Sequence, residues 1–200
     1  MATVEALDWL YYKGKKELET GDCEKARNRF QKILNMTREK KWLEKANAAL
    51  ASVYLAEENY FWAMDHIYRA LQINPYNAPY LYTKAQIHAA RKEWEKAAGE
   101  VLKAVEENLQ NARYYQLLGN ASYHCDGYNT ARRFLDWAIK CEPDNVEIML
   151  DSARLEVAEG NFQKALGILK QALELTNASK REKIRKKIRV IQENWKITGS

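Results

Sequence analysis

The sequence predicts an all-α protein built from repeated pairs of antiparallel helices. Small residues recur at a fixed spacing, turn residues interrupt the chain on the same beat, and helix breakers are otherwise scarce, with 3 Pro and 8 Gly in 200 residues. That length suffices for one domain or a short repeat array with a real core.

Each element follows in order. The first pair carries Gly14 on its first helix, turns at Gly21-Asp22, and carries Ala26 and Ile33 on its second. The second pair has Ala51, a turn at Glu58-Asn59, then Ala63 and Ala70. The third has Ala85, Arg91-Lys92, Ala97 and Ala104. The fourth has Gly119, Asp126-Gly127, Ala131 and Ala138. The fifth has Ala153, Gly160-Asn161, Ala165 and Ala172. Successive gaps in the series Ala26, Ala63, Ala97, Ala131, Ala165 are 37, 34, 34 and 34. Small residues in such columns mark where two helices cross closely, because a larger side chain would push the backbones apart. Cys23, Tyr60, Trp94, Tyr128 and Phe162 keep the same register at the starts of the second helices, where they are expected to fill the space between the pair. Pro75 and Pro143 should end two of the second helices.

This pattern resembles the tetratricopeptide repeat family, whose unit is ~34 residues with small residues at such positions. The resemblance covers roughly Ala6 to Asn177. It departs from the family where Leu10, Asn47, Leu81, Tyr115 and Met149 replace an early aromatic, where the linker around Asn35 to Lys41 is longer, and where Leu109 and Asn177 replace an inter-repeat Pro. It implies a right-handed α-solenoid, one domain over 1–200, with repeats at about 7–40, 44–77, 78–111, 112–145 and 146–179. The segment at about 180–196 is expected to cap the array, with Ile184, Ile188, Ile191 and Trp195 inward and Arg181, Arg185, Lys186 and Arg189 outward.

The formal charge of +5 is unevenly placed: residues 180–196 sum to +6 and the remainder to −1. A basic patch is therefore confined to one helix, where capping already explains the pattern, and nucleic acid is not the expected partner. The cysteines, Cys23, Cys125 and Cys141, are odd in number and form no CxxC pair, so neither a disulfide framework nor a zinc site is expected. No signal-peptide pattern opens the chain and no apolar run reaches membrane-spanning length, so no membrane insertion is expected. A reducing, cytoplasmic setting is the expectation, which a removed signal or anchor would change.

No catalytic constellation is found. His66, His88 and His124 fall in three different repeats, and adjacent helix positions such as His124 and Cys125 point ~100° apart. His124-Cys125-Asp126 reads as a groove-facing His, a packed Cys and an Asp opening a turn. Phosphate-loop, dinucleotide and metalloprotease motifs are absent. The expectation is no enzyme, no cofactor and no metal.

In the family, the first (A) helices line a concave face and supply ligand contacts. Carried over by position, the resemblance implies Tyr11 and Lys15 in the first repeat and Tyr82 and Gln86 in the third. It implies Arg113, Gln116, Asn120, Tyr123 and His124 in the fourth, and Glu147, Leu150, Arg154, Val157 and Ala158 in the fifth. Amides there can pair with an extended backbone, and Tyr and Arg are typical binding anchors. The clamp that some chaperone cofactors use for a C-terminal carboxylate fits no frame of these repeats. The implied function is a non-catalytic scaffold or adaptor for a peptide or protein segment. The alternatives are a protein that contacts nucleic acid or an anionic surface through the basic C-terminal helix, and a secretion-system-type chaperone. The partner's identity, the pathway and the oligomeric state are not written in the sequence.

Overall fold

In the computed structural model of the protein, residues 3–125, 127–176 and 178–198 are described, of which 178, 179 and 194–198 as backbone only. Among the described residues there are eleven helices and no strand. The chain divides into two compact units, Met1–Asn108 and Leu109–Ser200.

The first unit contains α1 (Val4–Glu19), α2 (Cys23–Met36), α3 (Lys40–Ala56), α4 (Tyr60–Ile73), α5 (Ala78–Ala90) and α6 (Trp94–Glu107), packed in sequential pairs. The second contains α7 (Ala112–Cys125), α8 (Tyr128–Cys141), α9 (Val146–Ala158), α10 (Phe162–Leu175) and α11 (Ala178–Thr198). There α7 pairs with α8 and α9 with α10, and α11 packs on α10.

The helix boundaries have local causes. Thr3, Asp22, Asn59, Asn77 and Asn145 place a side-chain oxygen on a first-turn N–H of α1, α2, α4, α5 and α9. Pro79 sits in the first turn of α5, where its missing N–H has no partner to lose. Pro75 and Pro143 follow the C-caps Asn74 and Glu142, which ends α4 and α8. The longer first linker is absorbed by α3, which runs 17 residues against 13 in α5 and α9.

The small-residue columns are the helix crossings. Ala26, Ala63, Ala97, Ala131 and Ala165 are all wholly buried, as are Ile33, Ala70, Ala104, Ala138 and Ala172. A Cβ built on Gly14 would meet the Phe30 ring at 2.8 Å, and one on Gly119 would meet Leu135 Cγ at 2.7 Å. The residues that open the second helices behave differently from the expectation. Cys23, Tyr60, Trp94, Tyr128 and Phe162 do start α2, α4, α6, α8 and α10, but none is fully buried, and Tyr128 is exposed. In the first and fourth repeats the space under the glycine is filled by Phe30 and Leu135, seven residues further along the second helix.

On α11, Ile184 and Ile191 are buried and Ile188 is partly buried, all three packed with Met149, Leu166 and Leu169. The Trp195 side chain lies outside the described residues. Arg181, Arg185, Lys186 and Arg189 are all exposed. Arg181 also donates from Nε to the Thr176 carbonyl at 3.1 Å, and Lys186 borders a groove at the surface.

Candidate functional site

The candidate site residues of the first unit lie on α1 and α5. Tyr11 is half-buried, with the Phe30 ring 5.8 Å and the Trp42 ring 6.3 Å from its own. The Lys45 ammonium lies 5.6 Å from the Tyr11 ring and 5.3 Å from that of Trp42. Burial pushes the Tyr11 phenol up. Tyr80 of α5 is held well above the usual phenol range by burial first, then by the charges of Glu44 and Tyr11. Tyr11 is therefore part of the wall of the first core, with an aromatic and cationic fringe. Lys15 is exposed one turn further on. Tyr82 and Gln86 are half-buried one turn apart on α5.

The candidate residues of the second unit converge on a carboxylate that the sequence reading did not select. Asp151 of α9 accepts from Gln116 Nε2 at 2.7 Å and from Asn120 Nδ2 at 3.0 Å, both on its Oδ2. Its Oδ1 faces Arg154 at 3.1 Å, and Arg154 Nη2 donates to Asn120 Oδ1 at 2.8 Å. Asp151, Asn120 and Arg154 thus close a ring of charge-assisted hydrogen bonds, and Gln116 joins it through Asp151. The repeat itself could have signalled Asp151, because Gln116 and Asp151 are 35 residues apart, one repeat with a small offset.

Tyr123 lies beside this ring in sequence and packs on His124 and Tyr128 at 5.0 Å and 5.7 Å between ring centres. His124 is exposed; slight burial first, then the Arg154 charge, hold its pKa below the usual range, so it is neutral at pH 7. Arg113 is exposed on the first turn of α7. Glu147 is already engaged by Lys180 at 2.7 Å. Cys125, at the last position of α7, is exposed where a packed side chain was expected, and Asp126 lies outside the described residues.

Two buried polar clusters lie off this face. His66 Nδ1 donates to Asn47 Oδ1 at 2.8 Å, while Asn47 Nδ2 donates to the Leu43 carbonyl at 2.7 Å. Glu156 is held by Arg132, Lys164 and Asn161. Among the described residues no group of three or more His, Cys, Asp or Glu is placed to hold a metal ion, and no helix is long and apolar enough to cross a membrane.

Helix pairs on a 34-residue beat, with a polar A-helix face over an apolar crossing, define an α-helical repeat protein. Solved structures give the fold its name. Pseudomonas aeruginosa pilF superposes with a TM-score of 0.77 at 20% identity, over 97% of this chain and 92% of its own. TTC0263, a thermophilic TPR protein of Thermus thermophilus, superposes at 0.78 with 18% identity, over 93% and 98%. A tetratricopeptide repeat protein of Parabacteroides merdae superposes at 0.75 with 15% identity, over 93% and 71%. No family model and no curated protein matches the sequence. The chain has the tetratricopeptide repeat fold.

Proposed function

We propose that the protein is a non-catalytic interaction scaffold that holds a peptide or protein segment on the faces of its A helices. The observation that carries this reading is the ring around Asp151. It fixes Gln116, Asn120 and Arg154 in place before any partner arrives, which lowers the ordering cost of binding. Each of them keeps capacity after the ring is made. Gln116 retains its carbonyl oxygen and an N–H, Asn120 an N–H, and Arg154 further guanidinium N–H groups. Paired amide donors and acceptors suit the backbone of a bound segment, with Arg113 and Tyr123 beside them as anchors. In the first unit, Tyr82 and Gln86 offer the same chemistry on α5, and Tyr11 and Lys15 stand at the corresponding face of α1.

The test is affinity capture with quantitative mass spectrometry. Tyr82→Ala combined with Asn120→Ala should lower partner recovery by roughly tenfold or more, as expected for losing ~1.4 kcal/mol or more of binding energy. Lys170 is exposed on α10, away from the A helices, and Lys170→Ala should change nothing. Wild-type recovery by the double variant would remove the A-helix assignment.

A further inference from the structure

The second unit contains a groove that the Asp151 ring does not fill. It encloses about 550 Å³ between α9 and α11. Leu150, Ala153, Arg154 and Val157 of α9 form one side, with Leu169 of α10 and Ile191 of α11 beneath. The opposite wall is Lys183, Lys186, Lys187 and Val190 of α11. Val190 is 47% exposed, and Leu150 and Val157 are half-buried.

Two features of α11 make this wall. Its Ile184, Ile188 and Ile191 stripe faces α10, so the neighbouring stripe at 183, 186, 187 and 190 is left to face the groove. One repeat of 34 beyond Ala153 stands Lys187, where each of the five A helices has Gly or Ala. The C-terminal helix thus presents a long cation at the position the repeats keep small. On α9, Glu147 is held by Lys180, and Asp151 by Arg154 and the two amides. None of Lys183, Lys186 and Lys187 makes an ion pair among the described residues.

We propose that this groove receives an amphipathic helix of a partner protein, with its apolar stripe on α9 and acidic residues against the three lysines. The proposal rests on the protein-binding reading above and extends the α9 part of that face, at Leu150, Arg154 and Val157, with a partner of stated chemistry. Leu150, Ala153 and Val157 are spaced i, i+3, i+7 over ~10 Å of helix, which meshes with the same spacing on an incoming helix. An apolar partner without acidic groups would strip water from three unpaired ammonium groups and give nothing back. Carboxylates on the partner offset that cost. A membrane-binding helix projects its apolar residues outward; here they are recessed between helices, which favours an inserted side-chain row over a lipid surface.

The experiment uses the full chain and two synthetic helical peptides that share one Leu stripe, one flanked by Glu and the other by Lys. Fluorescence anisotropy should show the Glu peptide binding at least tenfold more tightly than the Lys peptide. The combined substitutions Lys183→Glu, Lys186→Glu and Lys187→Glu should invert that preference. Val190→Asp should weaken the Glu peptide about tenfold. All four side chains are exposed, so circular dichroism should be unchanged. Equal affinity for the two peptides, no binding of either, or a preference untouched by the lysine substitutions would each overturn the proposal. So would phosphatidylserine vesicles that bind through these lysines more tightly than the Glu peptide. The same peptides titrated into the Tyr82→Ala, Asn120→Ala variant separate the two readings. Peptide preference retained while native partner recovery is also retained sinks the A-helix face alone, and recovery lost without any peptide preference sinks the groove alone.

Discussion

At the scale of single residues, Glu156 is the buried carboxylate most informative to change. Its side chain is 1% exposed on α9. Arg132 Nε donates to it at 3.1 Å, Lys164 Nζ at 2.6 Å and Asn161 Nδ2 at 2.9 Å. Burial by itself raises the carboxyl pKa, but the hydrogen bonds from Arg132, Lys164 and Asn161 outweigh it and hold the group at about 2, against an ordinary 4.5. In the unfolded chain the proton binds near 4.5, so the unfolded state takes up protons first as pH falls. The stabilisation is complete above that value and is lost between about 4.5 and 2. At ~1.4 kcal/mol per pKa unit it amounts to at most about 3.5 kcal/mol, and the exposed Lys164 end lowers it toward 2. Urea unfolding at pH 7 should show Glu156→Gln less stable by roughly 2 kcal/mol, and its stability should fall less steeply than wild type between pH 5 and 3. Equal pH slopes for the two proteins would show that Glu156 is not held ionised. His66 adds a smaller effect of the same sign near neutrality. Burial, then Arg69, lowers its pKa, so its folded form resists the second proton and stability falls as pH drops below about 6.5.

At the scale of elements, four of the five turns between the first and second helix of a repeat end the first helix in the same way. Gly21, Glu58, Lys92 and Gly160 occupy one register with φ of 83°, 57°, 60° and 81°. The residue after each donates its N–H six-to-one into the preceding helix, as Asp22 does to the Glu17 carbonyl and Asn59 to that of Tyr54, both at 2.8 Å. Glu58 and Lys92 hold this left-handed conformation against their own Cβ atoms. Glu58→Gly and Lys92→Gly should therefore each stabilise the protein by ~0.5–1 kcal/mol in thermal melts, the reverse of what glycine does inside a helix. The crossings have the opposite demand. Gly119→Leu would drive a side chain into Leu135 and should cost roughly 3 kcal/mol with the helix content kept. If that variant melted with the wild type, Gly119 would not sit at the α7–α8 crossing.

At the scale of the whole molecule, the fold was legible because it is written locally and then repeated. Each helix pair needs small residues at its crossing and a left-handed residue at its turn, and five copies on one beat leave little choice of register. The face was partly legible: register picks out Gln116, Asn120 and Arg154, but not that Asp151 ties them together, since that depends on rotamers across a pair of A helices. The groove beside α11 was hidden because the stripe that faces α10 fixes the rotation of α11, and only that rotation decides which of its exposed residues border α9. Because contacts in such an array run between neighbours, the loss of one element should be felt nearby and fade with distance. Deleting the chain from Lys180 onward removes Ile184 and Ile191 and bares Met149, Leu166 and Leu169. Uncovering that face should cost several kcal/mol, since each lost isoleucine alone is worth ~2–5. Hydrogen exchange measured by mass spectrometry should then show amides of α9 and α10 opening at least tenfold faster. Amides of α3 and α4, in the other compact unit, should exchange at their wild-type rates. Uniform acceleration throughout the chain would mean that the protein unfolds as one cooperative body. Unchanged rates in α10 would mean that α11 adds nothing to the stability of the unit it covers.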